Sequence, residues 1–347
     1  SKLIMGPWVH EGYLGEWSGD YYYPNQSPGI MLAVTDALLE AWLLDNFTRW
    51  EMLPTVAFYL MSSLQDPPFD IANNWYQADA WPIPFTPKTM YLFENGSLLE
   101  QQPSTDTGAI SYLYDPNDPA PTKGGGNLNI DAGPYDQSEI EQRDDVITFT
   151  SPVLQEPFTF VGQANITLYV SSNCTDTDFA VKITDVYPDN TSMLITDTII
   201  RARNRNSYSE WDFLTPGQIY ELTIPLDSTA YLFKAGHRIR IDISSANYPR
   251  FEANPNTGDP LWENSTTYIA NNTIFVNSVH ASHIVFPEVD YSSLTPYSFD
   301  PVINAQPQNS QKQPNFTVQE TPMETLFSQG TLAFAMAVNV KKIGNRF

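Results

Sequence analysis

The clearest candidate for chemistry is a histidine near the start of the chain. Gly6-Pro7-Trp8-Val9-His10 follows directly on the short apolar run Leu3-Ile4-Met5. A histidine set just past a strand end by a Gly-Pro turn is placed to move protons near neutral pH. Acyl transfer by such a base also needs a nucleophile and an orienting acid. The 347 residues contain no Gly-x-Ser-x-Gly elbow, so this segment does not encode a complete Ser-His-Asp set. Ser1 offers an N-terminal nucleophile with its own amine as base. The strand-like run behind it argues against that use.

The other reactive side chains form no set. His237 precedes an alternating strand pattern and reads as a structural group. His280 and His283 are close in sequence but lack a neighbouring cysteine or carboxylate to complete a metal site. Asp176, Asp178, Asp185 and Asp189 lack the spacing and turn glycine of a calcium loop. Cys174 is the single cysteine, which excludes an internal disulfide, and nothing beside it marks a low-pKa thiol. Arg201, Arg203 and Arg205, two residues apart, are expected on one strand face, paired with carboxylates such as Asp178 or Asp185. No cofactor and no metal is expected.

Across the whole chain, 40 Asp and Glu against 17 Lys and Arg give a formal charge of −23. Such a surface repels nucleic acid and anionic membranes. Apolar residues at 41% and charged residues at 16% fit a folded core rather than a disordered chain. No run of about 20 apolar residues is present to span a membrane. Asn-x-Ser/Thr occurs at Asn25, Asn46, Asn95, Asn165, Asn173, Asn190, Asn264, Asn271 and Asn315. Composition alone predicts about four such triplets, so a glycosylated, extracellular protein is expected, with all but Asn25 as candidate acceptors. The opening Ser-Lys-Leu-Ile-Met is no signal peptide. A start inside a core-like strand leads us to expect further sequence upstream.

The elements follow from pattern. Residues 30–45 are good helix formers, apolar nearly all round, and read as a helix buried on most sides. Residues 54–61 read as a strand, and 65–87, rich in proline, as a surface connection. From residue 88 short β-rich runs recur at 89–93, 146–150, 158–171, 178–187, 192–201, 219–224, 229–233, 238–244 and 282–286. In 238–244 the apolar positions 239, 241 and 243 alternate with polar ones, as a half-solvated strand requires. Many short strands without intervening helices indicate a sandwich or jelly roll. Residues 115–145 form a long Pro/Gly/Asp loop, with an expected role in packing or in a site. Residues 290–322 resemble an extended arm, and 325–340 are apolar and strand-like. That tail either folds back or adds to a neighbour's sheet edge, giving a homo-oligomer or an open polymer through residues 318–347.

Several stretches, in order, carry a family resemblance. Gly6-Pro7-Trp8-Val9-His10 resembles the catalytic-histidine segment of serine hydrolases of the X-Pro dipeptidyl-peptidase and cocaine-esterase type. Asp79-Ala-Trp-Pro82, Tyr114-Asp-Pro-Asn-Asp-Pro-Ala-Pro121 with Gly124-Gly-Gly, and the stretch from Asp136 to Val146 are similar to later parts of that family. So are Asp176-Thr-Asp-Phe179, Thr184-Asp-Val-Tyr-Pro-Asp189, Ala235-Gly-His-Arg238 with its strand, Tyr248-Pro-Arg-Phe251 and Asn254-Pro-Asn-Thr-Gly258. The resemblance covers residues 1 to about 289 of the chain. It implies a mainly β chain: a C-terminal jelly-roll β-sandwich preceded by the last strand and helix of an α/β-hydrolase domain. Residues 1–85 would be the hydrolase remnant, 86–289 the jelly roll and 290–347 the Pro-rich arm and tail. His10 would be the general base, with Ser and Asp supplied by an upstream hydrolase segment. The function implied is a secreted serine hydrolase cleaving an ester or amide, an X-Pro peptide bond included. A non-catalytic glycosylated assembly protein is the alternative, and a carbohydrate-binding jelly roll is a third reading from fold alone.

Overall fold

The computed structural model describes residues 1–10, 17–25, 28–64, 71–128, 130–260 and 266–305. Asn264, Asn315 and the tail 318–347 lie outside the described residues. The chain divides into two compact units, one of Ser1–Leu32 with Pro54–Phe299, the other of Ala33–Leu53 with the chain from Asp300.

The fold is mainly β. In the first unit a four-stranded antiparallel sheet runs in the order Ser192–Arg201, Asp178–Val186, Arg238–Ser244, Ile147–Thr150. It faces a larger sheet whose path is Ala109–Tyr114, Ala270–Phe275, Asn165–Ser172, His283–Glu288, Phe158–Gly162 and Thr229–Phe233. Inward positions alternate along each strand, as in Ile239, Ile241 and Ile243, all at most 1% exposed, which is the period-2 pattern of a jelly-roll sandwich. Phe158, Phe160, Phe233 and Phe286 interlock between the sheets with ring centroids 5.3–6.2 Å apart. Edge-on and offset rings at that spacing add to the burial itself.

The larger sheet does not stop at the sandwich. Thr229–Phe233 pairs in parallel with Val56–Ser62, placing Tyr231 against Met61 and Leu232 against Ser62. The Ser62 hydroxyl donates to Leu232 O at 2.7 Å. Val56–Ser62 in turn pairs in parallel with Leu3–Met5 and antiparallel with Asn74–Ala78. The strands Leu3–Met5, Val56–Ser62 and Asn74–Ala78 and the sandwich therefore share one backbone ladder. Asn74–Ala78 lies in the stretch expected to be a surface connection. Its prolines flank the strand at 67–68 and 82 rather than interrupt it, so the ladder hydrogen bonds remain available.

The long loop covers the outer face of the smaller sheet. Strand Asp178–Val186 is buried at every residue, and its outer face carries a row of charge, Asp197–Lys182–Asp242, aligned across three strands. Lys182 Nζ donates to Gln137 Oε1 at 2.9 Å, while Gln137 Nε2 donates to Lys123 O and Tyr135 O at 2.8 and 2.9 Å. Burial pushes Lys182 down and Asp242 up, each toward its neutral form, and the neighbouring opposite charges resist this.

Asp136 anchors the same loop, accepting from Ser192 N–H, Ser138 N–H and Ser138 Oγ at 2.9, 3.0 and 2.8 Å. Burial opposes its charged form, but those donors and Lys123 hold the carboxyl below its usual range. Its folded value lies below the unfolded one, so its stabilisation is present above about pH 4 and is lost as pH falls through the folded value. Asp136→Asn is expected to make the acid limb of a stability profile shallower, read from urea midpoints between about pH 6 and about pH 3.

The arginines differ from the single-face expectation, because the strand ends at Arg201 and residues Ala202–Asn204 form a 3-10 turn. Arg201 makes a bidentate pair with Asp178, both bonds 2.8 Å. Arg203 reaches Gly258 O and Asp259 O, with its guanidinium 4.1 Å from the Trp211 ring centroid. Asp185 is bonded to Tyr231 and His237. Helix Pro28–Leu44, whose residues from Ala33 on belong to the second unit, also departs from expectation. Ala33, Ala37 and Ala41 are buried, whereas Leu38, Leu39, Trp42 and Leu43 are exposed. Ile30 and the three alanines, spaced three and four residues apart, form the inward stripe, so small side chains dominate it. Arg49 is buried there, donating to Val302 O at 3.2 and 3.0 Å and to Glu40 Oε1 at 3.0 Å.

Candidate active site

His10 lies where an α/β sheet presents its chemistry. Leu3–Met5 and Val56–Ser62 run parallel, so Gly6–His10 leaves at the carboxyl end of the strand pair, the side on which open α/β sheets bind ligands. Gly6 is set by packing. A side chain on it would lie 2.4–2.6 Å from the Trp8 indole, which folds back over it. Trp8 packs on Trp75 at 5.7 Å, and His10 is exposed. Among the described residues no serine or carboxylate is hydrogen-bonded to its imidazole.

Immediately before His10, Met5 through Val9 line a cavity of about 210 Å³. Tyr21, Tyr23 and Tyr59 continue that wall, and three stretches of the sandwich close it: Gly125–Gly126 with Gly133–Pro134, Met193–Asp197 and Asp227–Tyr231. The aromatic side forms a chain of edge-to-face contacts, Tyr21–Tyr23 at 5.7 Å, Tyr23–Tyr59 at 5.8 Å and Tyr59–Trp75 at 5.4 Å. Trp75 links this chain to Trp8. Trp75 Nε1 donates to Asn25 O at 2.9 Å, which holds the strand to the tyrosine segment.

The sandwich fixes its share of the wall through buried polar bonds. Tyr231 donates to Asp185 Oδ2 at 2.9 Å, and Asp185 Oδ1 lies 2.8 Å from His237 Nδ1. Asp185 and His237 are both at most 1% exposed. His237 is thus a structural group, serving to hold Asp185 and, through it, the Tyr231 ring. Asp197 is held by Arg250 Nη1 on one oxygen and by Asn247 Nδ2 at 2.8 Å on the other. Gly125 and Gly126 run close over that pair. A Cβ on Gly125 would meet Arg250 and Asp197 at 2.9 Å, so the loop needs glycine to approach.

The structure brings Trp8 and Gly125–Gly126 of the long loop to one cavity, with His10 next in the chain after the lining residues Met5–Val9. The other candidates stay apart from them. His283 Nδ1 lies 2.8 Å from Ala281 O, and His280 packs against Tyr169 and Phe275. No group of three His, Cys, Asp or Glu capable of holding a metal occurs among the described residues. Burial pushes the Cys174 thiol up, away from reactive thiolate character. Tyr59, Tyr231 and Met193–Asp197 carried no sequence signal of a site. Tyr21-Tyr22-Tyr23 was a visible aromatic run, and the triple glycine in a long loop was the best available pointer.

Comparison with known proteins adds a lineage. A family model for the X-Pro dipeptidyl-peptidase C-terminal non-catalytic domain matches residues 48–285. Cocaine esterase from Rhodococcus sp. (strain MB1 Bresler) is 32% identical over 310 residues, which cover 83% of this chain and 51% of that enzyme. The chain therefore spans about half the length of that relative. Among solved structures, an aminopeptidase from a marine sediment Thaumarchaeota archaeon superposes with a TM-score of 0.73 at 24% identity, over 83% of this chain and 49% of its own. An α-amino acid ester hydrolase gives 0.72 at 24% identity, over 83% and 50%. These two likenesses establish a shared fold.

Proposed function

The chain belongs to the X-Pro dipeptidyl-peptidase C-terminal domain family, whose relatives include esterases, and on that premise we propose that it is the C-terminal portion of a secreted serine hydrolase acting on an ester or amide. The observation that carries this reading is the exit of Gly6–His10 from the carboxyl end of a parallel strand pair, with the preceding residues forming one wall of a cavity. In the mechanism proposed, the His10 imidazole takes the hydroxyl proton of a serine supplied upstream as that oxygen bonds to the substrate carbonyl carbon. The imidazolium then gives the proton to the departing alkoxide or amine. An upstream aspartate orients His10, and water releases the acyl group by the reverse order of proton transfers. The sandwich contributes Tyr231, Gly125–Gly126 of the long loop and Met193–Asp197 of the strand Ser192–Arg201 to the cavity wall.

A fluorophosphonate probe tests this on the full-length protein. Labelling of a serine upstream of residue 1 supports the reading. A folded, unlabelled protein overturns it and leaves the assembly alternative.

Secretion is supported by where the acceptor triplets fall. Asn95, Asn173, Asn190 and Asn271 are exposed, and Asn46 and Asn165 are half-buried. None of the buried asparagines in the described residues begins a triplet. Treating the protein from its native source with peptide N-glycosidase is expected to convert occupied acceptors to aspartate, read by peptide mass. Unmodified asparagine at all six positions would remove the secreted reading.

A further inference from the structure

Two acceptor triplets meet on the outer face of the larger sheet. Strands Asn165–Ser172 and Ala270–Phe275 pair antiparallel, with Ser172 opposite Asn272. One residue further along, Asn173 N–H donates to Asn271 O at 3.3 Å, and Asn271 N–H donates to the side-chain Oδ1 of Asn173 at 2.7 Å. Ser172, Cys174, Ala270 and Asn272 are buried, so the alternation turns Asn173, Thr175 and Asn271 outward. Both asparagines begin Asn-x-Thr triplets. Their side chains are held differently. The Asn173 carbonyl is fixed by the Asn271 N–H, while its Nδ2 donates to nothing among the described residues.

Exposed apolar side chains border this pair. Leu113 lies opposite Asn271 on the next strand and is 63% exposed. Ile269, two residues before Asn271, is 54% exposed. Phe213 is 41% exposed and sits beside the threonine of the first triplet. Leu214 N–H donates to Thr175 O at 2.8 Å. A Cβ on Gly258 would meet Thr175 Oγ1 at 3.0 Å and the Phe213 ring at 3.1 Å, so ring and hydroxyl flank the same glycine. Apolar side chains grouped at one place on a surface mark something that covers them.

We propose that Asn173 carries an N-linked glycan whose first sugar, an acetamido-hexose, packs over Phe213 and Ile269. In the modification, Asn173 Nδ2 bonds to C1 of a lipid-linked oligosaccharide as the C1–O bond breaks. The lipid diphosphate leaves with the bonding pair, and the nitrogen gives up one proton. The modified amide keeps its carbonyl and one N–H, so the bond from Asn271 N–H survives and fixes the direction of the sugar. That fixed direction lowers the cost of ordering it. The C–H groups on a pyranose face suit the negative face of an aromatic ring, and the sugar hydroxyls give water a polar surface in place of an apolar one. This assignment rests on the reading of the chain as secreted, and it names the acceptor used and the surface its sugar covers.

Glycopeptide mass on the full-length protein from its native source reads occupancy and is expected to show sugar on Asn173. Amide hydrogen exchange in the peptide carrying Phe213 and Leu214 reads the contact. In protein expressed in that source, Asn173→Gln is expected to speed this exchange about threefold or more, and Asn271→Gln to leave it unchanged. In the Phe213→Ala background the added Asn173→Gln is expected to change nothing, because the contact is already lost. Ile269→Ser, expected to shrink the effect of Asn173→Gln, serves should Phe213→Ala fail to fold. Sugar on other triplets but not on Asn173 would sink this inference and leave the secreted reading standing. Unmodified asparagine at all six described positions would sink both. Exchange indifferent to Asn173→Gln, or an effect undiminished in both Phe213→Ala and Ile269→Ser, would overturn the packing. A dimer of the glycosylated protein that protects this peptide would assign the patch to a second copy and overturn it as well.

Discussion

Replacing His10 by alanine in the full-length protein is expected to lower kcat by about 10⁶-fold on an ester substrate while leaving the unfolding midpoint unchanged. The size follows from the loss of a base that acts in both proton transfers, leaving only binding and electrostatic stabilisation. The unchanged midpoint follows from structure. His10 is exposed and makes no described hydrogen bond, so its removal leaves no buried partner behind. KM should move little, since the imidazole is proposed to act on the serine and the leaving group rather than on the bound portions of the substrate. A variant retaining a tenth or more of the parent kcat would show that His10 is not the base.

Asp185→Ala is expected to destabilise the protein by about 3–5 kcal/mol, the usual loss when one member of a buried polar pair is removed. Its carboxylate is fully buried and satisfies both Tyr231 and His237. Alanine would leave a hydroxyl and an imidazole inside the sandwich without that acceptor, and the cost is mainly the desolvation of those orphaned groups. Urea unfolding measures it, and a loss under 1 kcal/mol would refute the assignment. Asp185→Asn keeps an acceptor oxygen and should lose less. The functional consequence is distinct from that of His10. Freed from Asp185, the Tyr231 ring no longer holds the cavity wall, so KM is expected to rise more than kcat falls.

Much of the sandwich was legible because a half-buried strand writes its periodicity locally. The strands Ser192–Arg201, Thr229–Phe233 and Arg238–Ser244 coincide with the expected runs. The run expected at 158–171 is two strands, Phe158–Gly162 and Asn165–Ser172. Gly162 at φ +128° makes a break that continuous β-rich chemistry concealed. Ala109–Tyr114 and Ala270–Phe275 pair with each other but were not expected. Asn271-Asn272-Thr273 has turn chemistry by composition, and only the neighbouring strand makes it a ladder. In helix Pro28–Leu44 composition suggested burial on most sides, because leucine and tryptophan are apolar wherever they point. Which stripe is covered depends on what packs there.

Residue identity alone determined the family order of motifs, the acidic balance, the single thiol and the place of His10 after a strand. Those are properties of neighbours along the chain. The cavity was decided only by tertiary structure. Tyr59 and Tyr231 lie far apart in sequence, and the parallel pairing of Tyr231 with Met61 brings them to one wall. The Asp185–His237 pair that steadies Tyr231 joins strand Asp178–Val186 to the residue just before strand Arg238–Ser244. No local pattern encodes such a meeting, because its energy comes from hydrogen bonds and ring contacts that exist only once both sheets are formed.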